Sequence, residues 1–246
     1  MLGTALNVAG ILLGGIAGLL RRKSLSLPQE SFFKVLLGAF TVFYGLRLTW
    51  TSVGGGAAQV LKELAIAVLA LIAGKLVGRL LSLQAFSNRI GKRAAEAMAG
   101  ARSGNQARGG EGFKVCAGLF CAAPLGLLGA IQDGLDGYFY PLAVKAVMDG
   151  LATMGLARMF GGQVMLAAVP VLAWQGTITL LCSRWVGPWL EAHRLLVPVN
   201  CVGGLLVFSV ALVILQIKKI ALAEYLPALL FAPLITSLLR FAGASV

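Results

Sequence analysis

The chain has 246 residues, of which 59% are hydrophobic and only 12% charged, and it carries a net charge of +12. Apolar runs of about twenty residues recur from end to end, the length a helix needs to cross a bilayer. Continuous runs exclude a β-barrel, whose strands would alternate residue by residue. The basic residues sit in short connections beside those runs without interleaved aromatics, so the positive charge points to membrane topology and not to nucleic acid. The expectation is an all-α protein: a polytopic transmembrane helical bundle of seven or eight spans, some broken by Pro or Gly, forming one integral membrane domain over 1–246.

In chain order, the spans are expected near 3–20, 32–48, 59–82, 113–131, 141–160, 163–183 and 195–217, followed by an apolar segment at 225–243 interrupted by Pro227 and Pro233. The first run has no charged residues before it and ends in Arg21, Arg22 and Lys23, which reads as a retained span and not a cleaved signal. With the N-terminus outside, 13 Lys and Arg fall on the inner side against Arg47, Lys62, Arg184 and Arg194 outside. Lys75 and Arg79 can snorkel inward as well. The opposite orientation inverts that ratio, so an N-outside topology is expected.

Residues 86–112 are the long polar connection, FSNRIGKRAAEAMAGARSGNQARGGEG, read as a basic cytoplasmic linker with a flexible second half, suited to anionic headgroups. Glycines recur at small-xxx-small spacing, as in Gly10, Gly14 and Gly18 or Gly74 and Gly78, which lets helix backbones approach closely in lipid. A short echo joins LNVAGILLGG at 6–15 to VNCVGGLLVF at 199–208, placing Asn7 and Asn200 near the outer ends of their spans.

The costliest stretch to bury is LGAIQDGLDGYFYPLAVKAVMDG at 128–150, where Asp133, Asp136, Lys145 and Asp149 are interleaved with Gly and Pro. On a helix, Lys145, Asp149 and Thr153 share one face at i, i+4 and i+8. Each of the two charges costs about 2.5–3.5 kcal/mol at the centre of a span, while the apolar residues around them return roughly 2–4 kcal/mol in total. The polar face must therefore turn into the bundle or a water-filled cavity. Two readings follow: an ion pair that locks helix packing, or a solute or proton pathway centred on Asp149. Gln175, Thr177 and Thr179 follow Pro170, and Gln132 and Asp133 follow Pro124, so broken helices with free backbone groups lie next to polar side chains.

Enzyme motifs are missing. His193 stands beside Glu191 and Arg194 in a loop, without a metal or triad partner, and Cys116, Cys121, Cys182 and Cys201 fit small buried side chains in spans. Asp149-Gly150 and Ala157-Arg158 are too far apart for a CDP-alcohol phosphotransferase motif, no G-x-G-D context marks an intramembrane aspartyl protease, and there is no Walker A or dinucleotide fingerprint.

Five segments in this order resemble one family: GTALNVAGILLGGIAGLL at 3–20, LGAIQDGLDG at 128–137, LAVKAVMDGL at 142–151, VGGLLVFSVAL at 202–212 and EYLPALLFAPL at 224–234. The chain is similar across nearly its whole length to the uncharacterised bacterial inner-membrane proteins of domain of unknown function 554. That family has Asp after the glycine where this chain reads Gly137-Tyr138. The resemblance implies seven or eight helices in the plasma membrane and a family often described as transporters.

The expected function is secondary transport or channel conduction of a small polar or ionic solute, with no catalysis, metal or cofactor. Asp149, Lys145, Gln132, Asp133, Gln175, Thr179, Asn7 and Asn200 are the expected pathway residues. The expected partners are membrane lipids, the solute and a second copy in a homodimer. The alternative is a non-transporting scaffold that binds a partner protein or anionic lipid through its basic loop.

Overall fold

The described residues, 1–20, 25–102 and 110–243 of a computed structural model, are mostly helical and contain no strand. Arg21, Arg22, Lys23 and Arg108, which entered the expected topology, lie outside them, as does most of the expected flexible half of the 86–112 connection. The helices are α1 (Leu2–Leu20), α2 (Leu27–Ser52), α3 (Ala57–Leu80), α4 (Leu83–Arg102), α5 (Glu111–Ala122), α6 (Pro124–Asp136), α7 (Tyr140–Phe160), α8 (Ala168–Leu181), α9 (Gly187–Ala192), α10 (Leu196–Ile214), α11 (Leu222–Tyr225) and α12 (Ala228–Phe241).

Several breaks have a proline behind them. Ala123 adopts an extended conformation ahead of Pro124, so α5 and α6 meet at 56°. Pro170 lies in the first turn of α8, and the turns before it are wound as a 3-10 helix over Gly162–Ala167. Pro188 has no N–H to donate and crowds the carbonyl four residues back, and a π-helical turn at Cys182–Val186 takes up the mismatch. Pro227 caps α12 and separates it from α11.

By length and apolar content, α1, α2, α10, the run Gly162–Ala192 and the run Leu222–Phe241 can each cross a bilayer, and the bent pairs α3 with α4 and α5 with α6 can each do so together. At 21 residues α7 is long enough, but Lys145, Asp149 and Arg158 keep it out of that set. The protein is thus an all-α, multi-pass membrane protein.

The chain divides into two compact units, Met1–Glu30 with Ala85–Cys182, and Ser31–Gln84 with Ser183–Val246. In the first, α1 and α7 lie parallel, backbone against backbone. A side chain at Gly10, Gly14 or Gly18 would strike the carbonyl of Ala146, Gly150 or Met154 respectively, so the glycine stripe is what allows the contact. The core beside it is Ile11, Phe120, Leu156, Phe160, Val164 and Val171, with Met98 of α4 packed on its edge. The polar connection is therefore helical in its first part: α4 buries Ala94 and exposes Arg89, Lys92 and Arg93. Cys116 and Cys182 of this unit are buried, Cys121 is half-buried, and all are free thiols.

In the second unit, α3 and α12 run antiparallel. Gly74 faces Ala228, Gly78 faces Glu224, and Ile66, Ala67 and Ala70 continue the buried face. Gly45 of α2 sits against the Phe208 backbone of α10, and Gly204 of α10 against Thr49.

Candidate functional site

The polar residues of the first unit converge from α1, α6, α7 and α8. On α7 the i, i+4 spacing brings Lys145 Nζ onto Asp149 Oδ2 as a donated, charge-assisted hydrogen bond. The pair is buried, Lys145 at 2% exposure and Asp149 at 7%. The Lys145 ammonium also lies 5.6 Å from the centre of the Phe120 ring on α5, within cation–π range. Thr153 returns its hydroxyl to the Asp149 carbonyl at 2.6 Å, so it serves its own helix.

Gly126 of α6 makes room for this pair. A Cβ there would stand 2.8 Å from Lys145 Cε and 3.1 Å from Gln175 Nε2, so the lysine stem and the glutamine amide both rest against bare α6 backbone. Across from them, Asn7 of α1 donates from Nδ2 to Gln175 Oε1 at 3.1 Å, and its amide also bears on the Asp149 carboxylate. Thr4 and Thr179 meet hydroxyl to hydroxyl at 3.4 Å, and Thr179 donates on to the Ala130 carbonyl at 3.1 Å. Asp133 accepts the Gly3 N–H at 3.2 Å and pairs with the amino group of Met1 at 3.2 Å.

Seven of the eight expected pathway residues therefore lie in the first unit: Asn7, Gln132, Asp133, Lys145, Asp149, Gln175 and Thr179. Asn200 does not join them. It is buried on α10 in the second unit, beside Cys201, whose carbonyl accepts from Thr49. Thr4 and Gly126 are contributors that the sequence reading missed. Small residues at helix spacing are common in any span, and only the pairing of helices shows which of them adjoin the charges.

The hydrogen-bonding capacity of this cluster is not used up. Gln132 is fully buried, and neither its amide nitrogen nor its carbonyl oxygen has a partner among the described residues. Asn7 Oδ1 and Gln175 Nε2 are likewise buried and unpartnered. Turning one amide over sets like atoms against each other and loses the bond between Asn7 and Gln175, and turning both only exchanges which atoms are left over. Buried polar groups are nearly always satisfied, so orphaned donors and acceptors on three helices beside a buried ion pair are a concentrated exception. Among the described residues, His, Cys, Asp and Glu nowhere gather in a group of three that could hold a metal.

Comparison with known proteins agrees in scope with this picture. The chain is 26% identical over 243 residues to "Uncharacterized membrane protein YdfK" of Bacillus subtilis (strain 168), covering 99% of both chains. It is 28% identical over 235 residues to "Uncharacterized protein YqgA" of Escherichia coli (strain K12), covering 94% of each. No solved structure matches it. The family described as protein of unknown function (DUF554) matches residues 2–237, and the chain belongs to that family.

Proposed function

We propose that this protein moves a small polar or ionic solute across the membrane, with the pathway passing the Lys145–Asp149 pair and the carboxamides of Asn7, Gln132 and Gln175. The observation that carries the reading is the set of buried, unpartnered amide atoms on α1, α6 and α8. Both donors and acceptors are left over, which suits a solute presenting both, such as an amide or a zwitterion. The ion pair keeps the site close to neutral while offering one charge of each sign. Asp133 and Thr179 lie on α6 and α8 themselves, and Asn200 would serve a pathway only through the second unit. The role is transport without bond-making chemistry, and the site is the bacterial inner membrane with the N-terminus outside.

The test is flux in proteoliposomes with glycine, urea and acetate as probes. Asp149→Asn and Lys145→Ala should each abolish uptake of whichever probe the wild type carries. Undiminished uptake by both variants defeats the proposal.

A second reading is supported by α4, which presents Arg89, Lys92 and Arg93 to solvent while its opposite face is packed. In this reading the protein is a membrane scaffold that holds anionic lipid or an acidic partner at the 86–112 connection. A homodimer remains part of the proposal, but Gly10, Gly14, Gly18, Gly74 and Gly78 are occupied by contacts within the chain. A second copy would have to use other surfaces, and crosslinking in native membranes measures whether it does.

A further inference from the structure

The second unit contains a buried acid that the transport reading does not use. Glu63 of α3 is 6% exposed and lies six residues, about 9 Å, inside the start of its helix. Asp149 has a lysine one turn away on its own helix, but the positions one turn either side of Glu63 are Gln59, Val60, Ile66 and Ala67. Gln59 Nε2 donates to Glu63 Oε1 at 3.3 Å, and Glu63 Oε2 has no partner among the described residues.

The antiparallel register of α3 and α12 identifies what lies opposite. With Gly74 against Ala228 and Gly78 against Glu224, continuing the register brings Glu63 level with Leu239 and Arg240. Arg240 acts on Glu63 electrostatically, but its guanidinium donates to the carbonyls of His193 at 2.8 Å and Arg194 at 3.0 Å. From α10 the titratable group facing Glu63 is the Cys201 thiol, and α10 has no charged residue. On α11 the titratable groups, Glu224 and Tyr225, sit at the far end of the register, against Gly78 and Lys75. Lys62, the neighbour in sequence, is exposed on another face of α3. A carboxylate so placed keeps one oxygen bare in an apolar bundle, which costs more than holding a positive charge on it.

We propose that Glu63 is a separate binding site for a small monovalent cation, a proton or sodium ion, held on the carboxylate in the second unit. A proton forms the O–H bond at Oε2 and leaves a neutral acid, whereas sodium coordinates the ionised group without bond exchange. Either ligand neutralises the bare carboxylate charge within the native fold.

The test is infrared difference spectroscopy on the full-length protein in lipid, with buffer exchanged over the film from about pH 9 to about pH 5 without sodium. The wild type and Asp149→Asn should both gain, reversibly, the carbonyl stretch of a protonated carboxylic acid. Glu63→Gln should lack a band worth one carboxyl group per chain. If sodium is the ligand, sodium chloride, but not choline chloride, at about pH 8 should shift the carboxylate stretch of the wild type and not of Glu63→Gln. Should Glu63→Gln fail to fold, Glu63→Asp takes its place and should move the band in frequency. A residue that only offset the Arg240 charge would stay ionised throughout. Difference spectra unaltered by these Glu63 substitutions, to both acid and sodium, overturn the proposal.

Discussion

Removing Lys145 and Asp149 singly and together separates a packing lock from a pathway. Both side chains are buried, at 2% and 7% exposure, and each is the other's charged partner. Lys145→Met alone leaves a buried carboxylate, and Asp149→Leu alone leaves a buried ammonium. Each should cost roughly 3–5 kcal/mol, the typical loss when one member of a buried pair is removed. The double variant leaves no charge behind and fills similar volume, so it should return to wild-type stability or exceed it by roughly 1–4 kcal/mol. The assay is equilibrium unfolding in mixed micelles followed by tryptophan fluorescence, run beside flux in proteoliposomes. The double variant should be stable and unable to transport. Single losses that simply add in the double variant would refute the coupling, and full flux from it would show that the pair only locks packing.

Gly14→Ala should lower stability by about 1–3 kcal/mol, because the new methyl meets the Gly150 carbonyl. Gly155→Ala, which faces open space, should be neutral or gain up to about 1 kcal/mol; equal melting temperatures for the two would contradict the α1–α7 contact. Gln132→Leu removes two unpartnered buried atoms, so it should match or exceed wild-type stability by about 1–3 kcal/mol while reducing flux. Unchanged uptake by that variant would remove Gln132 from the pathway. Replacing Arg89, Lys92 and Arg93 by Gln should weaken retention of phosphatidylglycerol in native mass spectrometry by about 1 kcal/mol per residue; undiminished retention would place the lipid contact elsewhere.

Periodicity and composition made the spans, the breaks at Pro124 and Pro227 and the shared face of Lys145 and Asp149 legible, because each depends on residues within a few turns of one another. They did not show which helices touch. Asn7 and Gln175 are 168 positions apart. Nothing local distinguishes Asn7, which joins the first unit's cluster, from Asn200, which carries a similar motif into the second unit. Glu63 follows Lys62 near a helix start, where a charged residue reads as interfacial. Only the packing of α3 against α12 makes it a buried acid. In sequence Gly126 is one small residue among 32 glycines, and only the folded chain lays Lys145 across it.

The close contact of α1 with α7 also bears on how the chain enters its membrane during synthesis. The helix with the buried charges is a poor substrate for insertion by itself, and it begins at Tyr140, 120 residues after α1 ends at Leu20. By the time α7 leaves the ribosome, its parallel partner has long been in the bilayer, with a bare glycine groove and the amide of Asn7 already in place. The first helix then acts as a docking template within the chain, and late insertion of α7 depends on an element translated well before it.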